Sequence, residues 1–511
     1  MRRTTICIAA ALLGACAQPQ ERAQPASSVR RVSVEASAAA DAHGPCDPAR
    51  GPVALELVSF TDAGALGRTC QASRPPCKNA SHPSISFDGT RVAFDSDAPG
   101  MTGDGDPPSG VAQIYLRDIV RGRTLLVSGR TSGGTTTFAN ANAGFPDLSG
   151  DGQTVVFAST ASNLVDSDRG GFADVFAANL EARTLERVSE RSDGAELDGD
   201  SADPTVSEDG RWIVFVSSAG NLAPLFAPGG ETPIAGPAGR RMRLYLTERA
   251  TRRFEWLDRG LGDEANPPEA SQPVISADGS VVAFTSSSTP LGSDGSESKL
   301  DIYAFAREEG GLLLVSAAFG SQQPADGVSR KPQVSGNGRF IAFEGTASDL
   351  IAPGLDTNNQ SDVFVRDLQQ GLTVRVSVSS SGGQANGTSG YAALSYDGRF
   401  VAFSSSARNL VPGDTTRGFL DCFVHDRDVA GDGVFDEPGD ICTRRMSTTP
   451  TGVQANARSG GNCDLSADGR FLAFMSESNL LHPGDDNGVA DKLKCSPTCL
   501  FGRDVFRARV Y

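Results

Sequence analysis

"LSYDGRFVAFSSSARNLV" (residues 394–411) reads as a turn, a strand and a polar loop, and close copies of it recur down the chain. "ISFDGTRVAF" ends at Phe94, "LSGDGQTVVF" at Phe157, "VSEDGRWIVF" at Phe215 and "ISADGSVVAF" at Phe284. "VSGNGRFIAF" ends at Phe343, "LSYDGRFVAF" at Phe403 and "LSADGRFLAF" at Phe474. Successive copies lie 58 residues apart at closest (Phe157 to Phe215) and 71 at most (Phe403 to Phe474). A recurring period of this kind marks a repeat architecture and has to be settled before any other question.

Each unit has a second half, clearest in "DVFAANLEARTLERVS" (174–189), "DIYAFAREEGGLLLVS" (301–316) and "DVFVRDLQQGLTVRVS" (362–377). Alternating apolar residues, a Gly or polar break and a second alternating run describe a hairpin. The first half is a hairpin too, because Asp-Gly between β-branched and aromatic runs predicts a tight turn with φ > 0 at both residues. Each unit therefore holds about four short strands. The expected fold is all-β: a seven-bladed β-propeller of four-stranded antiparallel blades. The last unit ends in "DVFRARVY" (504–511) with no fourth strand after it, and an orphan strand, "VALELVSF" (53–60), precedes the first unit. The N-terminal strand is thus expected to close the last blade beside 504–511, since an unpaired edge is a liability.

"SxDGxxxxF" followed by "DVFVRD" resembles the PD40 repeat of the WD40-like, TolB-type propellers, over essentially residues 53–511. The resemblance implies a fold more than a function. TolB-type proteins carry an α/β domain before the propeller, whereas a low-complexity stretch stands there in this chain. Prolyl oligopeptidase-type enzymes add an α/β-hydrolase domain, but no G-x-S-x-G elbow is present.

"MRRTTICIAAALLGAC" opens with two arginines, a short apolar run and small residues, the pattern of a secretory signal over 1–15. "LGAC" (Leu13 to Cys16) also resembles the bacterial lipobox, which implies cleavage before Cys16 and lipidation of its thiol. Ala17, rather than Asp, follows it, which resembles the outer-membrane sorting pattern. Residues 16–50, rich in Ala, Ser, Gln and Pro, are expected to form a lipidated flexible tether, and 51–511 the propeller. The net charge of −16, with five lysines, argues against a nucleic-acid partner. Contact with the membrane is expected through the lipid alone, and the protein is expected to be a monomer.

Ten cysteines are present, and eight remain beyond Cys7 and Cys16. An even number in an exported chain points to disulfides rather than metal, with connectivity open. Cys422 and Cys442 bracket an insertion on adjacent strands and are expected to staple its base. Cys70, Cys77, Cys495 and Cys499 are further disulfide candidates, while Cys46 and Cys463 have no assigned partner.

Chemistry is sparse. The Asp of each Asp-Gly turn repeats in six of the seven units, and Asn337 replaces it in the other, which suits a turn residue better than a catalytic one. The long loops between the second and third strands of a unit and between successive units, with "QANG" (384–387), "QANA" (454–457) and "NANAG" (140–144) in the latter, are expected to gather polar groups around the central channel on one face. One insertion, "HDRDVAGDGVFDEPGD" (425–440), resembles D-x-D-x-D-G calcium loops. Asp426, Asp428, Asp432, Asp436 and Glu437 are its candidate ligands, and calcium the candidate cofactor. His82, His425 and His482 are expected at loop edges, solvated rather than catalytic. The functional expectation is a protein-binding or scaffolding module of the bacterial cell envelope with an envelope or periplasmic protein partner. The alternative is a propeller hydrolase or lyase acting on glycans or peptides, which two converging carboxylates in the channel would favour.

Overall fold

The computed structural model describes residues 46–59, 80–103, 105–132, 135–166, 168, 171–236, 240–261, 268–287, 299–416, 418–482 and 503–511. Cys16, Cys70, Cys77, Cys495 and Cys499 lie outside these. Seven blade sheets follow one another, each beginning with the strand before an Asp-Gly or Asn-Gly turn, and a separate two-stranded hairpin, Gly129–Ser132 with Thr135–Phe138, follows blade one. Blade one shows the plan: strand A is Ala80–Ile85, B is Arg91–Ser96, C is Gln113–Asp118 and D is Arg123–Leu126. Blade three carries two extra short strands, Leu225–Phe226 and Pro233–Ile234, beyond its strand D. The ring closes as the sequence predicts. Ala54–Leu57 pairs antiparallel with Asp504–Arg509, Ala54 facing Arg509 and Leu57 facing Phe506, so the first strand completes blade seven.

The repeated Phe explains why blades stack. In every blade the strand-B Phe meets an aromatic of strand C, from Phe94–Tyr115 in blade one to Phe474–Phe506 in blade seven, with ring centroids 5.6–6.1 Å apart. Such pairs are apolar on both sides and need a neighbour on each. The buried clusters accordingly fall at the seams: Phe403 and Phe423 of blade six pack with Phe340, Ala342 and Val363 of blade five.

The turns differ from the expected type in one respect. Only the glycine has positive φ, 76° at Gly398, while Asp397 does not. The Gly398 N–H donates to the Ser395 carbonyl, a type I turn with a left-handed glycine after it. Ser395 Oγ donates to Asp397 Oδ1, which accepts the Arg399 N–H, and the Phe400 N–H donates to Ser395 Oγ. Asn337 makes the same bonds with Ser335 and Arg339, so acceptor capacity rather than tolerance of positive φ is what the position requires. The glycine is also fixed by packing: a Cβ on Gly398 would stand 2.3 Å from the Phe340 ring of the preceding blade.

The strand-C to strand-D half carries its own buried lock. In blade five, Ser377 Oγ donates to Asp362 and accepts the Val363 N–H. Ser189–Asp174, Ser316–Asp301 and Ser447–Asp421 repeat it in blades two, four and six. Blade one uses Ser128 and Gln113, and blade three inverts the charges, with Arg243 facing Asp258.

The cysteine pairing departs from expectation. Cys442 is bonded to Cys46, 396 residues away with Cα atoms 5.6 Å apart, and not to Cys422. Register is the reason: Asp426 lies opposite Cys442, and Cys422 sits four residues farther along that strand, roughly 13 Å away at strand rise. Residues 46–50, assigned to the tether from composition, thus begin at a covalent attachment to blade six.

Candidate functional site: the central channel

Strand A lines the channel in every blade, and each strand A is interrupted near its start. In blade one Ser81 pairs with Asp95 and Ser84 with Ala93, so His82 and Pro83 oppose a single residue. This is a β-bulge, and its first residue is left-handed, with φ 48° at His82. The equivalents are Phe145 (55°), Asp203 (49°), Gln272 (52°), Lys331 (53°), Tyr391 (54°) and Asn462 (71°). Non-glycine residues hold such φ values only where the surroundings compel them, and they concentrate at functional sites. A proline follows the first five: Pro83, Pro146, Pro204, Pro273 and Pro332. With no N–H, proline cannot continue the ladder, and it forces the break.

The seven left-handed residues ring one end of a cavity of about 580 Å³ lined from all seven blades. Four neighbouring pairs of them are in contact. The His82 and Phe145 rings are 4.4 Å apart by centroid, the Gln272 N–H donates to Asp203, the Lys331 N–H donates to the Gln272 amide oxygen, and the Lys331 ammonium stands 3.3 Å from the Tyr391 ring centroid. Glu344 beneath Lys331 accepts from its ammonium, from Arg330 and from the Tyr391 N–H.

The opposite end is drawn together by backbone. Phe87 N–H donates to Gly150 O, Asp151 to Glu208, Glu208 to Ala277, Ala277 to Gly336, Asn337 to Tyr396, Tyr396 to Ala467, and Ala467 back to Phe87. These seven bonds make a closed circle through all the blades. Over it the Phe87 and Tyr396 rings meet edge to face at 5.9 Å.

Four carboxyls line the channel, Asp147, Asp203, Glu208 and Asp464, and two of them, Asp147 and Asp464, lie where strands A of neighbouring blades meet. Burial pushes Asp464 up to about 7, and it raises Asp147 as well. The Ser84 hydroxyl donates to Asp147 and lies beside Asp464. Each is also engaged by the neighbouring blade's backbone: Ile85 N–H donates to Asp464, and Val206 N–H and the Thr205 hydroxyl to Asp147. They splice strands A across blade seams that have no ladder of their own.

The sequence-predicted site residues fall elsewhere. The Asn-rich loops are consumed in loop-to-loop pairs: Asn386 N–H donates to the Asn409 side chain and Arg408 N–H to that of Asn386, as Asn140 and Asn163 also interlock. His82 lines the channel and bonds Asp95, rather than standing at a loop edge. His425 is buried in strand C of blade six, bonded to Thr443, and burial lowers it to about 4, so the solvated reading does not hold for it.

In the acidic insertion, Asp426 is held by Arg399 and Asp436 by Arg427, and Glu437 is exposed. Asp428 accepts the N–H groups of Gly431, Asp432 and Gly433. Its carboxylate comes together instead with Asp432 and with Asp440, a residue outside the expected set, and the three could share a cation. The residue pair ahead of each "S-x-D-G", such as "HP", "FP" and "DP", was the sequence signal for the channel ring.

No protein-family model matches the sequence, nor does any curated protein. Solved structures share the propeller. Oligogalacturonate lyase from Vibrio parahaemolyticus is similar at TM-score 0.46 and 11% identity, over 92% of this chain and 99% of that one. A second oligogalacturonate lyase, in complex with manganese, gives 0.44 at 11%, over 90% and 98%. TolB from Acinetobacter baumannii gives 0.34 at 14%, over 58% of this chain and about half, 54%, of its own. These likenesses concern the fold.

Proposed function

We propose that this propeller is an exported binding module, held at the outer membrane of a bacterial cell envelope by lipid on Cys16, which takes a segment of an envelope or periplasmic partner protein at its channel mouth. One observation carries the reading. Seven blades that repeat their turns, locks and aromatic pairs present seven different residue types at the left-handed rim position. An imidazole, a phenyl ring, a phenol, an ammonium, a carboxylate and two amides of different length can grip several side chains of a peptide at once. A cavity of about 580 Å³ is within the ordinary size of ligand pockets, roughly 300–1,000 Å³. The Cys46–Cys442 disulfide accords with an oxidising compartment. Capture from envelope extract with the 46–511 fragment tests the proposal. A saturable partner bound by the wild type and released by Lys331→Ala/Tyr391→Ala supports it; a partner held equally by both overturns it.

The Asp147–Ser84–Asp464 group favours a second reading, a hydrolase or lyase in which Asp464, protonated near neutrality, is the acid. Turnover on a glycan and peptide panel, abolished by Asp464→Asn, would establish that reading in place of the first. Calcium is the proposed cofactor of the blade-six insertion, held by Asp428, Asp432 and Asp440.

A further inference from the structure

Blade seven breaks the pattern of its inner strand twice. It has one residue more than blade one between the start of strand A and the Ser of the turn, with Gly460 and Gly461 inside the bulge. Cys463 stands directly after the left-handed Asn462, where five other blades have proline. Something other than a proline ring must therefore hold this bulge.

Across the seam lies Cys422, the second residue of strand C in blade six. Both cysteines are buried, 0% exposed for Cys422 and 6% for Cys463, and their Sγ atoms are 2.7 Å apart. That is well inside the roughly 3.5 Å at which even unbonded carbon atoms pack, and lies between that spacing and the about 2.05 Å of a disulfide. The seam is otherwise drawn tight at the same point, because the Gly461 N–H donates to Ser404 Oγ of blade six. Among the described residues no His, Asp or Glu joins the two thiols in a metal-ligating group.

We propose that Cys422 and Cys463 are joined by a second disulfide, which pins the inner strand of blade seven to blade six and sets the position of Asn462 and Asp464 in the channel wall. The oxidant is a protein or small-molecule disulfide of the export compartment. One cysteine thiolate attacks it, forming a mixed disulfide and releasing one thiol. The second cysteine, losing its proton, displaces the other, so two thiols are oxidised and one disulfide is reduced. Burial and the neighbouring sulfur push the Cys422 thiol up, which disfavours attack in the finished fold. The bond therefore forms while blade seven is still docking. Its place is where the ring is sealed, since blade seven is the one built from both ends of the described chain.

The test uses the full chain purified from an oxidising compartment, denatured without reductant, alkylated and mapped by mass spectrometry, with Cys46–Cys442 as the internal standard for oxidation. A linked Cys422–Cys463 peptide with neither thiol alkylated is the expected result. Alkylation of both Cys422 and Cys463 in protein that contains the Cys46–Cys442 link overturns the proposal. Cys463→Ser provides a second reading: the drop in urea midpoint on reduction should become smaller than in the wild type. An unchanged drop counts against the bond.

Discussion

Ser59 donates its hydroxyl to Asp504 at 2.8 Å although 445 residues separate them, and the Val505 N–H donates to the same Ser59 oxygen. The pair is the lock that blades two, four, five and six make within one hairpin, assembled here from the two ends of the propeller. Closure of the ring thus reuses a local device across nearly the whole length of the propeller.

Removing that lock should loosen the closing blade. Ser59→Ala leaves the buried Val505 N–H short of its acceptor and takes one hydrogen bond from the half-buried Asp504, a change that costs about 1–3 kcal/mol. Urea unfolding should show the loss, and Ser316→Ala, the same lock inside blade four, should show a similar one. The closing lock should also govern protection of the end strands, so hydrogen exchange at Ala54–Leu57 should accelerate in Ser59→Ala but not in Ser316→Ala.

The turn residues should separate cleanly. Gly398→Ala forces a side chain into φ 76° and places Cβ 2.3 Å from Phe340; combined backbone and packing strain of this kind costs on the order of 2–4 kcal/mol. Asp397→Asn keeps an acceptor in place, as Asn337 does in blade five, and should stay within about 1 kcal/mol. Thermal melts of the two variants against the wild type measure the difference.

Stability should fall as pH rises towards and through 7. Asp464 is raised from an ordinary 3.8 to about 7 by burial, so the folded protein keeps a proton that the unfolded chain releases. Its stabilisation is complete below about pH 4 and is lost as pH rises through the folded value, a shift of about 3 units or about 4 kcal/mol at most. Asp174 and Asp258, raised to about 6, act in the same direction. His425 opposes them: lowered to about 4, it costs stability as pH falls from its unfolded value of about 6.5 towards 4. Urea midpoints between pH 4.5 and 8 should therefore decline on the alkaline side, less steeply in Asp464→Asn.

Calcium titration tests the insertion in blade six. Heat of binding from the wild type that is lost in both Asp428→Ala and Asp440→Ala is the expected result. Loss in Asp428→Ala with none in Asp440→Ala would return the ligand set to the original five acids.

The fold was legible because its determinants are local and repeated. "SxDG" states a turn, the fixed Phe a seam, and "ELVSF" (56–60) matches the strand ends "TVRVS" and "LERVS" closely enough to place the closing strand. The site was not legible for the converse reason. The left-handed positions are visible as a pattern only through the prolines behind them, and the residues themselves differ in every blade. The loops looked functional because they are polar, yet their Asn and Asp groups are spent on one another. Cys422 and Cys442 looked paired by proximity in sequence, and antiparallel register offsets them by four positions. His425 looked exposed because acids surround it in sequence, whereas strand alternation turns it inward beside Thr443.

The circle of seven backbone hydrogen bonds from Phe87 through Ala467 is a continuous hoop at the end of the channel opposite the left-handed residues. Each bond spans a seam, so no blade can shift along the axis there without lengthening the bonds on both its sides.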